Sequence, residues 1–313
     1  METVLFPICR TGYPPVTEGI QRGEFGLIGY PVEHSLSPAI FQGAFREAGI
    51  EARYTVLPVS PSRLKKTVSA LFARPVGGIN VTVPHKTAII PLLDGLETSA
   101  LDVGAVNTVA VHGGISTGYN TDLTGFENSL TSLGVPELSG RSVLVLGAGG
   151  AARAVVVSVA RSGAARILIA NRTRSRAVEL TRSLAPRFPG VRLIPIPSDA
   201  DNLARYLAGI SLCVQATSLG LRPEDPLPMD PSLIPAGCYV YDLVYGPDDT
   251  AFVRKAAMLG LTASDGREML LRQAAGAFEI WFGREAPVAA MRESLDRAIR
   301  SGASGCSGGV PGA

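Results

Sequence analysis

The side chains best suited to chemistry sit in a few short stretches. Arg141–Ala154 reads RSVLVLGAGGAARA, in which an apolar, β-branched run from Val143 to Leu146 breaks into Gly147-Ala148-Gly149 and then into Gly150-Ala151-Ala152 and an Ala-rich helical segment. Gly147 permits a sharp turn, Gly149 lets the backbone approach a pyrophosphate, and Ala152 lets helix and strand pack closely. The helix N-terminus offers free N–H groups and a positive dipole end to phosphate oxygens. The next strand, Arg166–Ala170, runs into Asn171-Arg172-Thr173-Arg174-Ser175-Arg176. An NAD site wants a carboxylate at this strand tip for the ribose hydroxyls, yet residues 151–178 contain no Asp or Glu. Three arginines there suit a 2′-phosphate dianion, and the position next to the glycine-rich turn favours NADP over a plain basic loop in which Thr173 or Ser175 caps a helix.

A further stretch reads GINVTVPHK, Gly78–Lys86. Asn80 and Thr82 alternate with Ile79, Val81 and Val83, so both polar side chains face one side of a strand. Lys86 follows at the strand end, where open α/β sheets bind ligands. Asp122, in GYNTDLTGF, stands where a helix begins and could be only its N-cap.

These residues have to be positioned by a chain of 313 residues, long enough to bury two cores. With 29 basic and 27 acidic residues the net charge is +2, which argues for neither nucleic acid nor an anionic membrane surface, and points to a small-molecule partner. Cys9, Cys213, Cys238 and Cys306 form no C-x-x-C pair and no metal spacing with His34, His85 or His112, which reads as reduced thiols in a cytoplasm. METVLFPICR has Glu2 and too short an apolar run for a signal peptide. Val143–Ala160 could mimic a membrane span, but its glycines and Arg153 argue for a buried strand and helix.

In order, residues 1–23 read as an extension rich in Pro, Gly and Thr. A strand over Glu24–Gly29 leads through Ser35 to a helix from Ser37-Pro38 to Ala48, with Ser37 as its N-cap and Ser35 lacking any such structural reason. Strands over Tyr54–Val59 and Gly78–Val83, separated by a helix opened by Ser60-Pro61, give a βαβ rhythm and parallel strands. Val106–His112 and Ile115–Asn120 flank Gly113-Gly114 as a hairpin. After the glycine-rich turn come strands over Val191–Ile196, Ser211–Ala216 and Tyr239–Val244, with a helix from about Asp199. Thr217-Ser218 at one strand tip would lie along the cofactor. Asp265-Gly266 opens a long helix whose stripe of Met269, Leu270, Ala274, Ala277 and Phe278 is core, with Gln273 as the polar exception and a plausible hydroxyl ligand. The fold class is α/β, with two domains.

HSLSP (His34–Pro38), GINVTVPHK, GAVNT (Gly104–Thr108), GYNTDLTGF, GAGGAARA, NRT (Asn171–Thr173), QATSLG (Gln215–Gly220), DLVYGPDDT (Asp242–Thr250) and DGREMLLRQAAGAFEIWFG (Asp265–Gly283) occur in an order that resembles the shikimate dehydrogenase family. The resemblance implies a substrate-binding catalytic domain over 24–121, a Rossmann NADP domain over 122–264, helices over 265–300 that return to the first domain, and a tail over 301–313. It implies NADP-dependent, reversible oxidation of the shikimate 3-hydroxyl, a step toward chorismate and the aromatic amino acids. Ser35 and Ser37, with Thr82 nearby, would hold the substrate carboxylate; Asn80, Asn107, Asp122 and Gln273 the ring hydroxyls; Tyr245 would line the pocket. Gly147, Ala148, Gly149, Gly150, Ala151, Asn171, Arg172, Thr173, Arg176, Thr217, Ser218, Leu243, Gly266 and Met269 would surround the cofactor.

Lys86 and Asp122 would form the catalytic pair. The chemistry accords with this, since oxidising a secondary alcohol requires a base on the hydroxyl proton while hydride leaves. No zinc-ligand cluster and no Tyr-x-x-x-Lys after the Rossmann turn offers another apparatus. Lys86 is assigned as the proton-transfer residue and Asp122 as its orienting partner, with the proton's route open. The chain departs from the family at Phe41-Gln42, usually His-Asn, at Gln215, usually Asn, and at Leu221, usually Met. The alternatives are a quinate or aminoshikimate paralogue and a non-catalytic dinucleotide-binding regulator. Either a monomer or a homodimer is compatible with the sequence.

Overall fold

A computed structural model describes residues 22–199, 203–222 and 224–301. Residues 1–21 of the extension, residues 200–202 of the helix expected from Asp199, and the tail from 302 lie outside the described residues, as do Cys9 and Cys306. The chain divides into two compact units, Met1–Thr121 with Leu271–Ala313, and Asp122–Leu270.

The first unit opens with β1 (Arg22–Gly29), α1 (Ser37–Glu47), β2 (Glu51–Pro58), α2 (Leu64–Phe72) and β3 (Val76–Val81). It continues with β4 (Gly95–Leu96), α3 (Thr98–Val103), β5 (Thr108–His112) and β6 (Ile115–Tyr119). The sheet runs β2-β1-β3-β5-β6-β4. The expected parallel pairing holds for β1 with β2 and β3, but β5 and β6 run antiparallel and make the sheet mixed. Gly113 and Gly114 turn that hairpin at φ 57° and 80°, positive values that a two-residue hairpin loop of the primed type requires. Ile28, Val59, Val68, Ile79, Val81, Ile89 and Val109 form the core on one side of the sheet.

The second unit begins with α4 (Thr121–Ser132), which spans the division, and then alternates β7 (Ser142–Leu146), α5 (Gly150–Arg161), β8 (Arg166–Ala170), α6 (Arg174–Leu184) and β9 (Arg192–Ile196). β10 (Ile210–Gln215), β11 (Tyr239–Asp242), α7 (Ala251–Met258) and β12 (Ala263–Ser264) follow. All its paired strands are parallel, in the order β12-β11-β10-β7-β8-β9. The chain therefore winds outward from β7 in one direction, returns, and winds outward from β10 in the other. That reversal is the switch point at which doubly wound sheets bind ligands. Val143–Leu146 is buried because helices cover both faces of a parallel sheet. Arg153 lies on the partly exposed margin of α5, so the apolar window is a strand, turn and helix.

α8 (Arg267–Phe282) leaves the second unit and from Leu271 belongs to the first, six residues beyond the boundary expected at Asp265; α9 (Val288–Arg300) follows. Trp281 on α8 donates from Nε1 to Val109 O at 3.0 Å, and a Cβ on Gly78 would lie 2.2 Å from that nitrogen, so glycine is what lets the indole rest on β3. Phe25, Phe41, Phe45, Tyr54 and Trp281 surround one another with ring centroids 4.4–6.4 Å apart. Among the described residues no helix is long and apolar enough to cross a membrane.

Candidate active site

In the first unit, the carboxyl ends of β1 and β3 carry the expected substrate-side residues. Tyr30 N donates to Val83 O at 2.8 Å, and a Cβ on Gly29 would lie 2.4 Å from Thr82 Cγ2, so the loop with Ser35 and the loop with Thr82 and Lys86 pack side by side. Ser35 Oγ donates to Ser37 Oγ at 3.1 Å and accepts the Ser37 N–H at 3.2 Å. This reverses the expected capping. Leu36 is the cap residue, Ser37 is inside the first turn of α1, and Ser35 supplies the local hydrogen bond. Two hydroxyls at a helix N-terminus can receive an anionic group such as a carboxylate.

β3 ends at Val81, two residues earlier than expected, and a turn follows in which His85 N donates to Thr82 O at 2.9 Å. The His85 ring is buried and donates from Nε2 to Val59 O at 2.6 Å. His85 is thus an anchor for the turn, and Lys86 is the half-buried residue that the turn presents. Lys86 O accepts Val106 N at 2.7 Å, which ties this turn to the segment carrying Asn107.

Asn107 is buried, and its Oδ1 accepts the Thr121 N–H at 2.7 Å. This carbonyl from another segment satisfies a donor at the start of α4, and Asp122 lies in the helix's first turn instead of capping it. Asp122 is 5% exposed. Asn80, expected to hold a ring hydroxyl, makes three hydrogen bonds within the protein. Its Nδ2 donates to Asn107 O at 3.2 Å and Thr108 Oγ1 at 3.0 Å, and its Oδ1 accepts from Tyr54 Oη at 2.7 Å. Both amide hydrogens are used, while Asn80 Oδ1, which accepts one bond from Tyr54, keeps a second lone pair that can accept from a hydroxyl. Thr82 and Gln273 are half-buried, Gln273 two turns before Trp281 on α8.

In the second unit, Gly147 closes β7 with φ 119°, a conformation that costs any other residue, and a Cβ there would lie 2.7 Å from Ala216 O. Gly149 is extended and a Cβ on it would meet nothing within 4 Å, which leaves open space over the backbone there. No side chain caps α5, so the N–H groups of its first turn, at Gly150 and Ala151 beyond Ala148 and Gly149, remain for a ligand. Arg172, Arg174 and Arg176 are exposed at the tip of β8, and Asn171 Nδ2 donates to Thr173 O at 2.8 Å to hold that turn. Thr173 occupies the cap position of α6, but its side chain makes no cap bond. An uncapped helix end beside a glycine cradle and a cationic strand tip fit a dinucleotide with a 2′-phosphate.

Gln215 ends β10 and shapes the next turn, accepting Thr217 N at 2.6 Å and donating to Leu219 O at 2.8 Å, so the glutamine that replaces the family's asparagine holds the Thr217-Ser218 segment. Asp242 ends β11 and accepts Val244 N at 2.9 Å and Thr250 Oγ1 at 2.7 Å. Gly266 N donates to Val244 O at 3.0 Å, and a Cβ on Gly266 would sit 2.1 Å from Leu243 O. The Leu243–Thr250 loop is therefore fixed at both ends, with Tyr245 half-buried within it and Met269 buried in the first turn of α8. Burial pushes the Tyr245 phenol up to about 12, so it stays protonated near neutral pH. Among the described residues no group of three His, Cys, Asp or Glu could hold a metal ion.

Comparison with known proteins bears directly on this arrangement. Residues 27–109 match the shikimate dehydrogenase substrate binding domain, 129–218 the shikimate / quinate 5-dehydrogenase model, and 266–295 the shikimate 5'-dehydrogenase C-terminal domain. The shikimate dehydrogenase (NADP(+)) of Symbiobacterium thermophilum is 44% identical over 276 residues, covering 88% of this chain and 94% of that protein. The chain belongs to the shikimate dehydrogenase family. Two solved members share its fold. The enzyme from Aquifex aeolicus superposes with a TM-score of 0.78 at 40% identity over 89% of this chain and 99% of that one. The shikimate 5-dehydrogenase from Thermus thermophilus, solved in complex with NADP(H) and shikimate, gives 0.77 at 35% over 88% and 99%.

Two features of the site have no clear mark in the sequence. Tyr54 lies 26 residues from Asn80, and only its place on a half-buried strand points to it. Asp242 is legible as a polar strand end, but not as a buried carboxylate. Of the family departures, Phe41 is fully buried and stacks on Tyr54 with centroids 4.4 Å apart, and Leu221 is exposed.

Proposed function

We propose that this chain catalyses the reversible, NADP-dependent reduction of 3-dehydroshikimate to shikimate on the way to chorismate and the aromatic amino acids. The observation that carries the reading is identity above 40% over nearly the whole chain to proteins named shikimate dehydrogenase (NADP(+)), in a sequence that keeps Lys86, Asp122 and the Arg172 strand tip. Ser35 and Ser37 receive the substrate carboxylate, with Thr82 beside them. Asn80, Asn107, Asp122 and Gln273 hold the ring hydroxyls, and Tyr245 lines the pocket. Arg172, with Arg174 and Arg176 near it, takes the 2′-phosphate, while the N–H groups over Gly149–Ala151 take the pyrophosphate. Bound NADP supplies the acceptor for the hydride that leaves C3.

Lys86 removes the 3-hydroxyl proton in oxidation and returns it in reduction, and Asp122 orients both the ammonium and the substrate. Retention of this pair favours an enzyme over a dinucleotide-binding regulator, which needs neither residue. We place the enzyme in the cytoplasm, as a monomer or homodimer acting on small molecules; the free thiols of Cys213 and Cys238, which burial keeps protonated, support a reducing compartment.

Replacing Lys86 by alanine tests the assignment. Turnover falls by about 10²-fold or more, the low end expected for a general acid–base group, while the shikimate dissociation constant changes only a few-fold. Turnover near that of the parent removes Lys86 from the mechanism.

A further inference from the structure

The loop that follows β11 returns to the residue it left. Asp242 is the last residue of β11 and is 1% exposed, and its two carboxylate oxygens take hydrogen bonds from opposite ends of the loop. Oδ1 accepts Val244 N at 2.9 Å, two residues on, and Oδ2 accepts Thr250 Oγ1 at 2.7 Å, eight residues on. Val244 and Thr250 are the buried residues of Leu243–Thr250, and those between them are half-buried or exposed, with Tyr245 half-buried. Thr250 Oγ1 also accepts Val253 N at 3.2 Å, so its hydrogen goes to the carboxylate and the end of the loop is joined to the start of α7.

The remaining ties do not replace this one. At the entry, Leu243 N donates to Gln215 O at 2.8 Å and Gly266 N to Val244 O at 3.0 Å, which holds the first two residues and no more. Near the exit, Arg254 Nη1 donates to Asp249 O, and Asp249 Oδ1 meets Arg267 Nη2 at 2.9 Å. Those groups are exposed, where water competes for the bond and screens the charges. The Asp242 carboxylate is the buried group that ties the exit to the entry, and at that depth an unmade bond is costly.

We propose that Asp242 is a positioning residue for substrate recognition, whose carboxylate closes the Leu243–Thr250 loop and so sets where Tyr245 stands at the shikimate pocket. This rests on the proposed reaction for its kinetic arm only. The closure requires the shape of the side chain and not its charge. Asp242→Asn still accepts Val244 N with Oδ1, and its Nδ2 donates to the second lone pair of Thr250 Oγ1, the first being taken by Val253 N. Asp242→Ala makes neither bond. Thr250→Val keeps the outline of the side chain and removes the hydroxyl, and with it the exit bond and the cap of α7.

The expected result for Asp242→Ala is a rise of about tenfold in the KM for shikimate, the scale of a misplaced substrate-positioning group, while Asp242→Asn stays within about threefold of the parent. Thr250→Val raises KM by about threefold or more, and in an Asp242→Ala background it adds less than about twofold, because the hydroxyl acts through the carboxylate. KM separates positioning from stability, since loss of folded enzyme lowers the apparent kcat and leaves KM where it was. Amide hydrogen exchange over Leu243–Thr250, read without substrate or cofactor, becomes about tenfold faster in both single variants that break the closure. A KM within about twofold of the parent in Asp242→Ala, an Asp242→Asn enzyme as impaired as Asp242→Ala, or an unchanged exchange rate each overturns the proposal. Should Asp242→Ala not fold, Thr250→Val decides by the same two readouts. Absence of shikimate oxidation by the parent chain would fail the proposed reaction alone, and exchange over Leu243–Thr250 would still decide whether Asp242 closes the loop.

Discussion

Asp242 couples the stability of the second unit to pH. Its carboxyl group ends β11 at 1% exposure, and burial pushes it from its ordinary 3.8 up to about 6. Hydrogen bonds from Thr250 and Val244 oppose the rise, and Asp265, itself paired with Arg267 at 2.6 Å, adds to it. The folded state therefore holds a proton that the unfolded chain releases. The resulting stability is fully present below about 3.8 and is lost as the pH rises through about 6. Each tenfold difference in proton affinity between the folded and unfolded chain is worth about 1.4 kcal/mol, so the whole effect is about 3 kcal/mol, of which about 2 kcal/mol is lost between pH 4.5 and 8.

Asp242→Asn cannot ionise, while its Oδ1 can still accept Val244 N. Relative to the parent, the variant gains about 2 kcal/mol on going from pH 4.5 to pH 8. Urea unfolding followed by far-UV circular dichroism at the two pH values measures the difference. Trp281, the chain's single tryptophan, lies in the first unit, so its fluorescence in the same titrations is an internal reference that the substitution leaves alone. Parallel pH dependence in parent and variant would refute the buried, proton-holding carboxylate.

Arg172→Ala removes a cation from the strand tip proposed to take the 2′-phosphate. It weakens NADP binding by about tenfold or more, within the ~1.5–3 kcal/mol of a charge-assisted hydrogen bond, and leaves NAD binding nearly unchanged. Equal losses for both cofactors in a fluorescence titration would reject the assignment. Gly266→Ala places a methyl group 2.1 Å from Leu243 O, so the loop bearing Leu243 and Tyr245 must move by close to an ångström. Its kcat/KM falls by about 10²-fold, and a value close to that of the parent would show that loop position is immaterial.

The dinucleotide half is legible in the sequence because its signals are local. Val143–Leu146, the Gly147–Gly149 turn and the Arg172 tip lie within about thirty residues, and the structure places the turn at the switch between β7 and β10 and the Arg172 tip at the end of the adjoining β8. The mixed first sheet is less legible. The βαβ rhythm covers β1 to β3, but pairing of β5 with β3 is a long-range choice that no local period encodes. Alternation puts Asn80 on a polar face, but only the fold brings Tyr54 to it. Ser37 looks like a cap because proline favours the first helical position, whereas here Leu36 takes the cap and Pro38 follows Ser37 in the first turn.

Substrate and cofactor choice are decided together by a side-by-side rate assay that follows reduced-nicotinamide absorbance with shikimate and quinate, each offered NADP and NAD. A shikimate dehydrogenase with Lys86 and Asp122 at its reacting centre and Arg172 on the 2′-phosphate gives a substantial rate for shikimate with NADP and little for the other three pairs. Preference for quinate or NAD would instead mark a paralogue with another substrate or cofactor, and no rate with any pair would contradict the shikimate dehydrogenase activity.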